Sequence, residues 1–438
     1  MRARSRIAVT LVVIVASLFL SHWAFGQEYE EEPIRYSDSE PNNRVSQVLE
    51  RIEAGELKLK FSDRLGYLPA LLQELNVPAS SQMLVFSKTS LQRQRIAPRT
   101  PRAIYFSDDV YIGYCQQGAV LEISAVDPQL GAVFYTLDQD QYETPLVKRQ
   151  TDNCLLCHGS GHTKDVPGHV VRSVFSDAGG LPILSSGSYR INQASPLAQR
   201  WGGWYVTGTH GEQKHLGNLI IPTRDVPERL DNSAGMNVTD LADRFNTGKY
   251  LTPHSDIVAL MVLEHQAEAH NLLTRASMHT RQAMHYQQAL NRELGEPADK
   301  VWDSTKSRIK SVCEPLVEYL LFSEEAQLAS PIHGTSGFAE EFVRRGPRDR
   351  QGRSLRDFDL SRRLFQYPCS YLVYSPNFQE LPREAKDYVL RRMWEVLSGA
   401  DQSEPFAHLS ADDRQAILEI LRETLPDLPD SWNSTDGA

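Results

Sequence analysis

Two cysteines three positions apart, followed at once by a histidine, are the residues of this chain whose spacing could do chemistry: Cys154-Leu155-Leu156-Cys157-His158. Two thiols at this gap can add to the vinyl groups along one edge of a porphyrin, while the adjacent imidazole supplies an axial nitrogen to iron. The same gap serves thioredoxin-like redox pairs, but such a pair opens a helix after a strand in a βαβ unit. Here a run of strand-like segments precedes the motif and "GSGHTKDVPG" follows it. A structural zinc site wants more ligands at pair spacing. No second cysteine pair exists, so zinc would depend on scattered histidines. The expectation is one covalent haem c, attached through Cys154 and Cys157, with His158 as proximal iron ligand.

The sixth iron position separates an electron carrier from a ligand-binding or catalytic site. Cys115 is one candidate, a thiol shortly before the motif; its ordinary role would be to fill core space. His210 and His215 sit in the glycine-bounded stretch "TGTHGEQKHLGN", where loops between strands often hold binding groups but can equally be exposed tips. His265 lies on the apolar stripe of a long helical segment, with Met261 one turn earlier. A buried seam histidine there is ordinarily satisfied by hydrogen bonds. His162 follows His158 by only four residues, too few to wrap round a macrocycle. His169 reaches the iron only if residues 159–168 fold back.

Haem attachment needs an exported chain, and the N-terminus reads as an export signal. Arg2, Arg4 and Arg6 precede the 14-residue run "IAVTLVVIVASLFL", and Ala24 and Gly26 stand at −3 and −1 of a cut before Gln27. That combination marks a secretory signal over residues 1–26. The run is short for a membrane span, so no integral membrane segment is expected after cleavage, and the location is periplasmic or otherwise exported. Without the signal, 43 basic residues face 56 acidic ones, a net charge of −13. That balance argues against a nucleic-acid partner. Five cysteines remain. With two taken by haem, Cys313–Cys369 is the simplest disulfide in an oxidising compartment.

The motif must be positioned by the elements around it. Residues 27–79 read as an acidic, flexible leader followed by a helical arm, "NRVSQVLERIEAG" and "LPALLQELNVP". Residues 80–230 read as a β-rich haem domain. Segments 83–88, 102–106, 110–115, 119–124 and 131–138 are rich in β-branched and aromatic residues and separated by short turns, an antiparallel meander leading into the motif. Further strands are expected at 169–175, 203–208 and 216–221. Residues 231–438 read as mainly helical, with a long uninterrupted segment from 254 and a capping box at Ser410 and Asp413. Pro315 predicts a kink or restart in the next helix. The expected fold class is α+β: an antiparallel β domain interrupted by a haem c loop, then a mainly helical C-terminal domain. The arginine-rich stretch 344–365 suits carboxylates, including haem propionates or an acidic partner, although an internally paired loop explains it as well.

The segments "VFSKTSLQ", "AVDPQLGAVFYTLD", "CLLCHG", "VPGHVVRSVF", "RWGGWYVTGTHG" and "YPCSYLVYS" resemble those of exported c-type cytochrome-like proteins of planctomycetes and related environmental bacteria. The resemblance spans most of residues 80–400. It implies an exported haem c protein and carries no assigned reaction. The layout is also similar to PAS-like periplasmic haem c domains, in which some members use a distal cysteine; that similarity implies a role for Cys115 at the iron. Three functions compete. The first is a periplasmic electron-transfer or redox protein with a redox partner protein. The second is a haem-dependent oxidoreductase or redox or gas sensor with an open or displaceable distal site. The third is a haem-containing scaffold.

Overall fold

The computed structural model of the protein describes residues 28–223 and 230–433; the expected signal, residues 1–26, lies outside them. The strands are β1 (Met83–Val85), β2 (Arg102–Phe106), β3 (Val110–Tyr114), β4 (Val120–Asp127), β5 (Gly131–Asp138), β6 (Val147–Gln150), β7 (Arg172–Val174), β8 (Ser188–Arg190) and β9 (Trp204–Tyr205). Seven of them form one antiparallel sheet in the order β6-β5-β4-β3-β2-β1-β9, and β7 with β8 makes a separate ribbon. The meander forms because β-branched and aromatic residues alternate between two buried faces. Its tightest turn, between β4 and β5, is built by Asp127, whose Oδ1 accepts the N–H groups of Gln129 and Leu130 at 2.9 and 3.0 Å.

Four strand expectations need correction, the first at β8, which the pattern did not mark and which pairs with β7. β6 is a strand the pattern did not mark: Val147–Gln150 is mostly polar and takes its conformation by pairing with β5. Segment 216–221 forms no strand, only an isolated bridge from Ile221 to Asp177. Within 203–208, only Trp204 and Tyr205 form a strand, paired with β1, and Thr207 makes an isolated bridge to Asp256.

One face of the sheet is covered by the N-terminal arm. Helix Arg44–Glu53 is capped by Asn43, and Val45, Val48 and Ile52 point inward. Helix Leu68–Glu74 adds Leu68, Leu71 and Leu72 to the same cluster. The expected flexible leader is instead packed down. Tyr29, Ile34 and Tyr36 are buried, and the Tyr36 hydroxyl donates to the Ala132 carbonyl at 2.9 Å. Three large apolar side chains among the acids outweigh the local charge.

The other face meets the helical region. Helix Ile257–Leu294 starts at an Asp256 cap and ends at Gly295 in the left-handed conformation. It is buried on most of its circumference rather than along one stripe, because the sheet, helix Asp303–Leu320 and helix Arg383–Leu397 surround it. Met83, Val85 and Tyr111 of the sheet share one hydrophobic cluster with Leu263, Leu316 and Met393 of these helices. Pro315 is accommodated inside Asp303–Leu320, without the expected restart. The capping box at Ser410 and Asp413 opens helix Ala411–Thr424 as read. No described helix is long and apolar enough to cross a membrane. The architecture is mixed α+β, with a sheet region first and a largely helical region after it.

All five cysteines are free thiols, which corrects the Cys313–Cys369 disulfide. Both are fully buried in the helical core, where they fill space as small apolar side chains.

Candidate functional site

The sheet carries the site on the face turned toward the long helix. Register places Ile104, Gly113, Glu122 and Thr136 in one row across β2–β5. Tyr111, Ser124 and Phe134 make the next row. Small and polar residues replace bulky ones in these rows, and the face is hollowed out there. The resulting cavity, about 620 Å³, is roofed by the motif loop and backed by Leu263 and Ala267 of the long helix. Its size is in the range of cofactor sites.

The motif stands at this cavity. Cys154 leads into a single helical turn, Leu155–His158. Positions i, i+3 and i+4 share one face of a helix, so Cys154, Cys157 and His158 all line the cavity. The two leucines differ in role. Leu155 turns into the core beneath, whereas Leu156 is 77% exposed on the cavity rim.

His158 is fastened at two points to one residue. Its Nδ1 lies 2.9 Å from the Gly168 carbonyl, and the Gly168 N–H donates back to the His158 carbonyl at 2.8 Å. The proton therefore resides on Nδ1 and the lone pair on Nε2. The ring packs on Phe134 at 4.9 Å between centroids. Burial lowers its pKa, which keeps it in the neutral, metal-competent form. Gly168 is held in turn from the long helix. Asn271 accepts the His169 N–H and donates to the His169 carbonyl, both at 2.8 Å. A Cβ on Gly168 would fall 2.2 Å from Asn271 Oδ1, so only glycine lets the loop approach this closely.

The thiols do not resemble a reactive redox pair. Burial pushes Cys154 up to about 11, opposite to the lowered value a nucleophilic thiol needs. Among the described residues, no three His, Cys, Asp or Glu side chains gather where they could hold a metal ion. The donors fit a haem better: two thiols on one turn, and one histidine whose second nitrogen is already committed.

The residues singled out for the far side of the iron lie elsewhere. Cys115 is buried beyond the end of β3, pushed up to about 12 by burial, and does not line the cavity. His210 and His215 are a buried edge-to-face pair, 4.8 Å between centroids, with His215 against Trp201. They are neither exposed loop tips nor cavity residues. His265 is fully buried with both nitrogens engaged, by Gln193 at 2.5 Å and Ser370 at 2.7 Å. Met261 does not line the cavity either.

His162 and His169 do line it. The loop 159–168 folds back as His169 required, and the His169 ring sits 4.2 Å from Tyr111 with Nε2 held by Ser124 at 2.8 Å. Burial lowers its pKa well below the usual histidine value. Sequence reasoning passed over the floor of the cavity, Arg102 and Glu122, which pair at 2.6 Å. The signal for it was present: glycine, glutamate and serine at alternate positions of otherwise apolar strands.

The arginine-rich stretch 344–365 does not reach the cavity. Arg348 pairs with Asp357, Arg353 with Asp349 and Glu419, and Arg363 with Asp413. Arg356 is buried against Asp108 and lies over the rings of Phe342 and Tyr371. Comparison of the chain with protein-family models, with curated proteins and with solved structures found no match.

Proposed function

We propose that this chain is an exported mono-haem c protein of redox function, with haem held through Cys154 and Cys157 and His158 as its axial ligand. The observation that carries the reading is the fastening of His158 to Gly168, which leaves a neutral Nε2 at a cavity shared with both thiols. A haem bound there supplies a one-electron iron couple. The chain's own part is to fix the imidazole through Gly168 and Asn271, to exclude water with the sheet and the long helix, and to leave Leu156 and Cys157 at the surface. Leu156, exposed at the rim of the cavity, would give a redox partner protein an apolar contact there. The similarity to PAS-like haem c domains extends to a haem motif beside an antiparallel sheet and no further.

A second reading has an observation in its favour. Part of the cavity lining is apolar, formed by Val85, Ile104, Trp204 and Leu263. The candidates Cys115, His210, His215 and His265 are outside it. With His169 Nε2 engaged by Ser124, this lining supports an open or displaceable distal position, and with it a haem-dependent oxidoreductase or a redox or gas sensor.

The test is the mature protein made alongside haem-attachment machinery. Its mass should rise by one haem that survives denaturation, and Cys157→Ser should keep only one thioether bond. An unmodified mass would sink the proposal. Carbon monoxide added to the reduced protein separates the two readings: a shifted Soret band supports the open site, and an unchanged spectrum supports electron transfer.

A further inference from the structure

The cavity is cationic although the chain carries a formal net charge of −10. Lys88, Arg93, Arg102 and Arg172 line it against a single carboxylate, Glu122. Arg102 is built into the floor. It lies flat across Gly113, where a Cβ would fall 2.3 Å from its guanidinium. Glu122 holds one end of it at 2.6 Å and is itself steadied by Gln92 at 3.2 Å and Ser90 at 3.4 Å. The Arg102 Nε is buried without a hydrogen-bond partner. Lys88 and Arg93 lie in the segment between β1 and β2, so their backbone is on the β1–β2 side of the sheet, while His158 packs against β5.

We infer that Arg102, with Lys88, Arg93 and Arg172, makes this wall a site for anionic oxygen groups. A planar guanidinium with spare donors is suited to carboxylates and oxoanions. Two sources share that chemistry: the propionates of a haem attached at the motif, or a small free oxoanion bound beside it. The first source rests on the haem reading above; the anion site itself does not.

The experiment uses the mature full-length chain, wild type and the variants Arg102→Gln and Lys88→Gln/Arg93→Gln. Among the described residues Lys88 and Arg93 make no ion pair, so the double variant serves if Arg102→Gln fails to fold. If propionates occupy the wall, the variants keep covalent haem, their midpoint potential falls because cations near the iron are lost, and the propionate bending bands move in resonance Raman spectra. If a free anion occupies it, nitrite perturbs the wild-type Soret band and binds at least tenfold more weakly to the variants, with the propionate bands unmoved. Covalent haem with potential, bands and nitrite affinity all unchanged would overturn the inference. A wild-type chain without haem mass would instead defeat the haem reading. In that case sulfate, against chloride at equal ionic strength, should still raise the melting temperature of wild type more than that of either variant. An equal rise in all three would overturn the site.

Discussion

At the scale of single residues, the imidazole of His158 is set by atoms that are not its own neighbours in sequence. Asn271 holds both backbone groups of His169, which fixes Gly168, which fixes Nδ1 of His158. Asn271 is therefore a positioning residue for the proposed ligand. Asn271→Leu leaves a donor and an acceptor unpaired, a loss of about 2–3 kcal/mol, measurable by urea denaturation. Asn271→Asp keeps the acceptor for the His169 N–H and should recover part of it. A purely structural role would end there. A positioning role also shifts the iron–histidine stretch of the reduced haem protein in Asn271→Leu, with partial return in Asn271→Asp; an unmoved band would refute it. The motif stood out in sequence because two cysteines at that gap followed by a histidine, preceded by strands rather than a βαβ unit, narrow the chemistry. Asn271 was not, since a polar residue on a long apolar helix carries no mark of the loop it will meet.

At the scale of elements, the sheet was legible where alternation and short turns coincide, and β2 to β5 fall within a few residues of the expected segments. The strand β6 escaped because its residues do not alternate in polarity; its partner strand imposes the conformation. The leader escaped for the opposite reason, its acidic composition concealing Tyr29, Ile34 and Tyr36. Which face of the sheet would be hollow depended on register between strands, which no single segment states. Gly113 shows what the register accomplishes, by letting Arg102 lie across β3 to reach Glu122. Gly113→Ala drives a methyl into that guanidinium and breaks the pair, at a cost of about 1–3 kcal/mol. The cost should come from the clash rather than from strand propensity. Adding Arg102→Ala to Gly113→Ala should therefore cost less than the sum of the two single variants in denaturation midpoints. Additive losses would show that the arginine does not lie where the glycine permits.

At the scale of the whole molecule, the long helix and the loops packed on it place ionisable groups in the interior, and stability inherits a pH dependence from them. His215 and His265 are depressed to about 3 by burial. Each is neutral when folded and protonates more readily when unfolded, so each withdraws stability as pH falls from 6.5 toward 3. Glu264, buried against Arg200 and Trp201, and Glu325 are raised to about 7, chiefly by burial. Each holds a proton when folded that it loses when unfolded, so each adds stability as pH falls from 7 to 4.5. Between 6.5 and 4.5 the two pairs oppose one another, while His169 and His270, also lowered by burial, tip the balance so that stability falls gently. Below 4.5 the glutamates are protonated in both states and their contribution stops changing, while the histidines continue. The two together then remove about 2.7 kcal/mol per pH unit. Asp401, held down to about 2 by Arg392, acts in the same direction lower still. Urea midpoints of the mature protein should thus decline gently from pH 6.5 to 4.5 and then along a steep acid limb to pH 3. His265→Gln keeps a polar group between Gln193 and Ser370 but removes one titrating site, so its acid limb should be shallower by about 1.4 kcal/mol per pH unit, whatever its stability at neutral pH. An acid limb of unchanged slope in His265→Gln would mean that the collapse is driven by surface carboxylates, not by His265, which the long helix carries into the core.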